Sequence, residues 1–284
     1  MPTHSCWVSS VEDRTRHLGE HPTGPFTTAH SQLDACCKIA YILRAKKKIT
    51  TGRLDLIKDP PLLRIKRDFE RPEAKLLEGF AGVPTGHLVD AMGGRGCIDY
   101  RIKPLAPSDT VMVGVAVTCH AGPADNLALF GAVHAAGKGD ILIAATDSFM
   151  ETAVTGDLLL GMARNRGIAG LVTDGLIRDL VGVLGVGIPV YCAGITANSP
   201  ARNGPGTVGL PVVVGGVMIC SGDIIVGDRD GVVVVPFGEA HGVLARLKDV
   251  KAAEAGLEAK VKAGLEIPDF IEAILASDKV EKLS

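Results

Sequence analysis

The sequence predicts an α/β fold, on three observations. Short runs rich in Val and Ile, bounded by Gly, Pro or Asp, alternate with segments whose apolar residues recur at helical spacing. The 284 residues include 35 Gly, a density that suits many tight turns. From Val111 to Pro236 only 16 of 126 residues are charged, so most of that stretch must be core.

The elements follow in order. Residues 1–60, with Ser/Thr/His-rich stretches, the single Trp7 and the basic run Arg44–Lys48, predict a poorly ordered N-terminal extension. Helical spacing over Pro72–Gly82 and Thr85–Met92 is broken by Val83-Pro84 and then by Gly93-Gly94-Arg95-Gly96. Val111–Cys119 reads as a strand. Asp125–Gly137 starts on Asp and ends on Gly, as a helix does. Asp140–Ala145 reads as a buried strand, Gly156–Arg166 as a helix and Ile168–Thr173 as the next strand. Four further apolar runs, at Ile188–Cys192, Leu210–Ile219, Asp223–Val226 and Gly231–Val235, predict a compact β region. Phe237–Gly264 reads as one long amphipathic helix with a short helical tail. The expected organisation is an extension over 1–60, a catalytic α/β domain over 61–240 and a helical segment over 241–284. That last segment packs on the domain or on a neighbouring subunit.

Charge and composition exclude several functions. Residues 1–75 carry 14 Lys/Arg against 9 Asp/Glu, and the remainder 16 against 23, so +5 and −7 sum to −2. That balance gives no broad basic field, and 4% aromatics provide no base-stacking platform, so no nucleic-acid partner is expected. Seven scattered Cys without a CxxC pair resemble neither a disulfide framework nor a zinc site. They read as small buried hydrophobes in a reducing, cytoplasmic setting. The uncharged runs Leu180–Ala201 and Asn203–Gly222 are long enough to cross a bilayer, but their Gly, Pro, Asn and Ser content reads as strands and turns. No membrane partner is expected, and no N-terminal apolar segment suggests secretion.

Nucleotide motifs fail on spacing. Between Gly131 and Gly137 lie five residues, and Lys138 is followed by Gly139, so there is no P-loop. Gly182, Gly185 and Gly187 give GxxGxG, not the dinucleotide fingerprint. Neither a G-x-S-x-G elbow nor an HExxH pair is present. What remains is the set of charges in the charge-poor region. Asp223, Asp228 and Asp230 sit in turn contexts, where Asp caps its own backbone. Asp157 opens a helix, whose free N–H groups favour an anion, whether as a cap or as a site. Arg178-Asp179 follows a buried strand and the Thr173-Asp174-Gly175 turn, at a carboxyl end where α/β ligands gather.

Asp157, twenty intervening residues and Arg178-Asp179 together resemble the D-x20-R-D pattern of the class II pyruvate aldolases of the 4-hydroxy-4-methyl-2-oxoglutarate aldolase / RraA-like family. Ala116-Val117-Thr118, Ala124 to Leu129, Gly156 to Leu159, Gly215-Gly216-Val217 and Gly222-Asp223 through Pro236 resemble further landmarks of that family, in order, over residues 65–265. The resemblance implies an α/β sandwich with a central β-barrel-like core of the swivelling β/β/α type, in homotrimers or homohexamers with active sites at subunit interfaces.

It also implies a lyase that cleaves short 2-oxo acids to pyruvate. The reactions are retro-aldol cleavage of 4-hydroxy-4-methyl-2-oxoglutarate and oxaloacetate decarboxylation, both through a metal-stabilised enolate. Asp179 would be the ligand of Mg²⁺ (or Mn²⁺), which typically takes only one or two protein carboxylates. Arg178 would bind the pyruvyl oxygens, Asp157 would orient an acid/base water, and Gly156, Leu158 and Leu159 would hold the substrate carboxylate. Gly182 stands where many aldolases of the family carry an acid. Glu254 or Glu258 of a neighbouring subunit would complete the site, unless each belongs to a solvated helix face. The competing reading is a non-catalytic RraA-like module that inhibits a ribonuclease by protein contact. The methyltransferase label attached to such sequences finds no cofactor motif here.

Overall fold

The computed structural model describes residues 59–106 and 109–283. The extension expected over residues 1–60 lies outside them except for its last two positions, as do Cys6, Cys36 and Cys37. Along the chain come β1 (Leu63–Ile65), α1 (Ala74–Glu78), α2 (Thr85–Ala91), β2 (Lys103–Pro104), β3 (Met112–His120), α3 (Leu127–Ala135) and β4 (Asp140–Ala145). Then follow β5 (Ala153–Thr155), α4 (Asp157–Asn165), β6 (Gly170–Thr173), β7 (Leu176–Ile177), α5 (Leu180–Val186), β8 (Val190–Cys192) and β9 (Gly194–Ile195). The last third holds β10 (Gly206–Val208), β11 (Val212–Val214), β12 (Val217–Ile219), β13 (Ile224–Gly227), β14 (Val232–Val235), α6 (Ala240–Lys262) and α7 (Asp269–Leu275).

The expected α/β class is what the chain adopts. A nine-stranded sheet runs β1-β10-β3-β4-β6-β8-β2, with β13 and then β14 branching from β3. The full length of β3 is shared: its second half pairs in parallel with β4, its first half antiparallel with β13, and its end antiparallel with β10. Side chains therefore alternate between two environments. Ile141, Ile143 and Ala145 of β4 face a barrel-like interior with Met112, Ala116, Ile225, Val232 and Val234, closed by Val212, Val214 and Ile219 of the β11–β12 hairpin. Leu142 and Ala144 face outward, into a layer shared with α3 and α4. A third layer places α1, α2 and the first half of α6 over Ile224, Val226, Val233 and Val235.

Leu210–Ile219 is a hairpin of the expected β region, because Gly215 (φ 56°) and Gly216 (φ 80°) supply the two left-handed residues of a tight turn. One apolar run folds differently from expectation. The start of the run Leu180–Ala201 is not strand and turn but the helix α5. Its glycines mask the apolar period, and only Val183 is buried. Among the described residues, no helix is long and apolar enough to cross a membrane.

The acids read as turn residues also act beyond their turns. Asp228 accepts from the Asp230 N–H at 2.9 Å, and it also accepts from the Thr85 N–H and Oγ1 at 2.8 Å, capping α2 from across the fold. Asp223 accepts from the N–H groups of Cys220 and Phe237, which fixes the strand that leads into α6. Cys119 is fully buried and its thiol is pushed up to about 12 by burial, so it behaves as a core hydrophobe; Cys97 is exposed.

Candidate active site

The site is built by a second, smaller sheet. The strands β5, β7 and β9 are only two or three residues long and run parallel. Each ends by delivering one wall of a single cleft. After β5 comes Gly156 and the start of α4, and after β7 come Arg178 and Asp179. The loop after β9 carries Ser199 and Arg202. The ladder fixes these ends, with the Arg178 N–H on the Thr155 carbonyl at 3.0 Å and the Thr196 N–H on the Ile177 carbonyl at 2.9 Å.

Gly156, Asp157, Leu158, Leu159, Arg178 and Asp179 all line this cleft, whereas Glu254 and Glu258 do not. The Arg178 Nε lies 3.1 Å from the Asp179 carboxylate, and its terminal nitrogen donates to the Ser199 hydroxyl. Both side chains are about one-third to two-fifths exposed, at 34% and 41%, so the pair faces the cleft rather than the core. Asp179 has a left-handed backbone (φ 57°, ψ 45°) at the foot of α5, a conformation that Asp tolerates better than most residues. Gly156 is where the Arg178 and Asp179 side chains cross the start of α4. A Cβ there would collide with the Asp179 carboxylate and lie 3.1 Å from Arg178 Cγ.

Asp157 caps its own helix, its carboxylate accepting from the Leu158 N–H at 2.7 Å. That N–H is thus occupied by Asp157, whereas the Leu159 N–H has no acceptor among the described residues. The carboxylate rests against Gly182, which has no side chain to exclude it. Glu254 and Glu258 are engaged within their own chain, Glu254 with His87 of α2 and Glu258 with Lys262 at 2.5 Å.

Among the further lining residues, the polar groups of Asn126, Ser199 and Arg202 had no role assigned from the sequence. Arg202 did leave a signal, since it is the one charged residue between Asp179 and Asp223. Asp125 anchors this wall. Its carboxylate accepts from the N–H groups of Leu127 (2.8 Å), Asn203 (2.5 Å) and Gly204 (3.1 Å), clamping the loop after β9 onto the start of α3. The cleft is small, about 180 Å³, below the roughly 300–1,000 Å³ of drug-sized pockets, and so suits a short acid. Its charged groups, two guanidinium and two carboxylate, cancel; an anion would meet the guanidinium groups and the open N–H of α4, a cation the carboxylates.

The sequence model of a family described as "RraA-like: Aldolase/RraA" matches residues 85–234. A Halalkalibacterium halodurans protein named "Putative 4-hydroxy-4-methyl-2-oxoglutarate aldolase" is 38% identical over 204 residues, 72% of this chain and 94% of that protein. Among solved structures, an uncharacterized protein from Pseudomonas syringae superposes with a TM-score of 0.61 at 26% identity, over 69% of this chain and 96% of its own. Streptomyces coelicolor RraAS2, titled an unusual member of the RNase ES inhibitor RraA protein family, gives 0.60 at 27% identity, over 67% of this chain and all of its own.

Proposed function

The chain belongs to the RraA-like family, and from that footing we propose that it is a divalent-metal-dependent lyase releasing pyruvate from short 2-oxo acids. The observation that carries this reading is the convergence of Asp157, Arg178 and Asp179 on one cleft, the first after β5 and the other two after its parallel neighbour β7. Three residues 1, 21 and 22 positions apart serve one chemistry only when the fold gathers them like this.

The donor set fits a hard cation. Asp179 and Asp157 offer one or two carboxylates, which is what Mg²⁺ takes when water and substrate oxygens fill its other positions. Among the described residues no group of three His, Cys, Asp or Glu forms a softer cage. When bound, Mg²⁺ or Mn²⁺ would act as a Lewis acid toward the substrate's oxygens. The rest of the chemistry belongs to this chain. The start of α4, with its open Leu159 N–H, receives the C1 carboxylate. Arg178, held by Asp179 and Ser199, directs its guanidinium at the C2 oxygen, where negative charge develops as the C3–C4 bond breaks. Asp157, through a water, takes the C4 hydroxyl proton. C4–O becomes a carbonyl, the C3–C4 electron pair becomes the enolate of pyruvate, and a proton returned to C3 completes pyruvate. With oxaloacetate the same pair is left behind as carbon dioxide departs.

Leu158 and Met162, which line the cleft, are 75 and 48% exposed. This apolar rim is consistent with a neighbouring copy covering the site in a homotrimer or homohexamer. A second reading, a non-catalytic protein-binding module, draws on the Streptomyces relative. The two are separated by pyruvate release from 4-hydroxy-4-methyl-2-oxoglutarate and oxaloacetate, with Mg²⁺ and with chelator. Mg²⁺-dependent release supports the lyase. No release, together with tight binding to a ribonuclease, supports the module.

A further inference from the structure

A second cavity, of about 270 Å³, opens where β2 pairs with β8 and α5 ends. It shares no lining residue with the cleft described above. Its walls are apolar, from Pro104, Leu105, Val183, Leu184, Ile188 and Pro189, and the Leu105 N–H on the Val190 carbonyl at 2.8 Å pins them together. Among the described residues, the polar side chains that line it are those of Thr110, Tyr191 and Asp228, and no Lys, Arg or His joins them.

Tyr191 is the first indication of a ligand. It is 3% exposed, yet its hydroxyl has no hydrogen-bond partner among the described residues. Native interiors pair nearly all such groups, so an open hydroxyl on a cavity wall is a place for a ligand. Bare backbone makes room for it: a Cβ on Gly227 would fall 2.9 Å from the hydroxyl oxygen. Burial, and then the charge of Asp228, push the phenol above its usual range, so it stays protonated.

Asp228 is the second. Its carboxylate is fixed by the Thr85 N–H and Oγ1 and by the Asp230 N–H, all neutral donors, and it has no ion-pair partner among the described residues. The cations nearest in sequence are engaged elsewhere, Arg229 with Asp109 at 3.0 Å and Lys103 with the Asp230 carbonyl. A fixed, unneutralised carboxylate beside an open hydroxyl and apolar walls fits a cation with an apolar body.

We propose that this cavity binds a small primary alkylammonium, its head between Asp228 and the Tyr191 oxygen and its chain on the apolar walls. The test titrates hexylammonium chloride, hexan-1-ol and sodium hexanoate into the full chain at neutral pH, by calorimetry. Hexylammonium should bind saturably, at least roughly tenfold tighter than the alcohol, and hexanoate should not bind. Tyr191→Phe, which keeps the ring, should weaken the ammonium about five- to tenfold, the worth of one hydrogen bond. Leu184→Arg, at a half-exposed position on the cavity wall, should abolish binding by supplying a cation of its own. No saturable binding of hexylammonium, equal binding of the alcohol, or binding unmoved in both variants overturns the site. Calorimetry needs no turnover, so each of those results leaves the lyase reading standing.

Discussion

The carboxylate of Asp157 fills the space that a side chain at Gly182 would take: a Cβ built on Gly182 falls 2.7 Å from the Cβ of Asp157 and 2.9 Å from its Cγ. At this bare backbone α4 and α5 close on one another. Gly182→Ala should therefore displace Asp157 from the Leu158 N–H and lower pyruvate release roughly ten- to a hundredfold, the usual effect of misplacing an acid/base group by about 1 Å. Steady-state kinetics beside a thermal melt check this, since Gly182 is on a partly exposed face and the fold should persist.

The Arg178–Asp179 pair allows a clean separation of charge from conformation. Asn is at ease in the left-handed backbone that Asp179 adopts, so Asp179→Asn should fold and melt like the native chain. It should nonetheless lose pyruvate release by at least roughly a hundredfold, as should Arg178→Lys, because an ammonium cannot reproduce a fork held by Asp179 and Ser199.

Asp125 touches no candidate reacting group, yet three backbone N–H groups depend on it. Asp125→Ala should free the loop that carries Ser199 and Arg202. The expected outcome is faster proteolytic cleavage near residues 199–204 and a stability loss of about 1–3 kcal/mol, read by limited digestion and by urea titration.

Asp174, one of the charges that stood out in the charge-poor region, has a structural role. It is 5% exposed, and its carboxylate accepts from the N–H and hydroxyl of Thr146 and from the N–H of Ser148, at 2.7 to 3.0 Å. These bonds hold Asp147 and Ser148 in left-handed conformations after β4. Asp174→Ala should cost roughly 2–4 kcal/mol, measured by denaturant unfolding, and Asp174→Asn less.

What the sequence made legible follows from length and burial. Asp140–Ala145 was readable because all six residues are buried, and α4 because its apolar face is regular. β5, β7 and β9 were not, because two or three residues carry no period. They are nevertheless what gathers the site. Asp157, Arg178 and Asp179 could be picked out because each is a charge in a stretch that is otherwise core. Asn126 follows the Asp that opens its helix, and Arg202 lies between two uncharged runs, so neither spacing nor period assigns them to the site.

The central claim is that this cleft forms and reprotonates a pyruvate enolate. It is tested most directly by following the methyl resonance of pyruvate in deuterated buffer by proton NMR. With Mg²⁺, the native chain should replace the methyl hydrogens with deuterium well above the buffer rate. Excess EDTA should stop this, restored Mg²⁺ should revive it, and Arg178→Ala should not support it. Exchange at the buffer rate with the native chain, or exchange indifferent to both EDTA and Arg178→Ala, would contradict the claim.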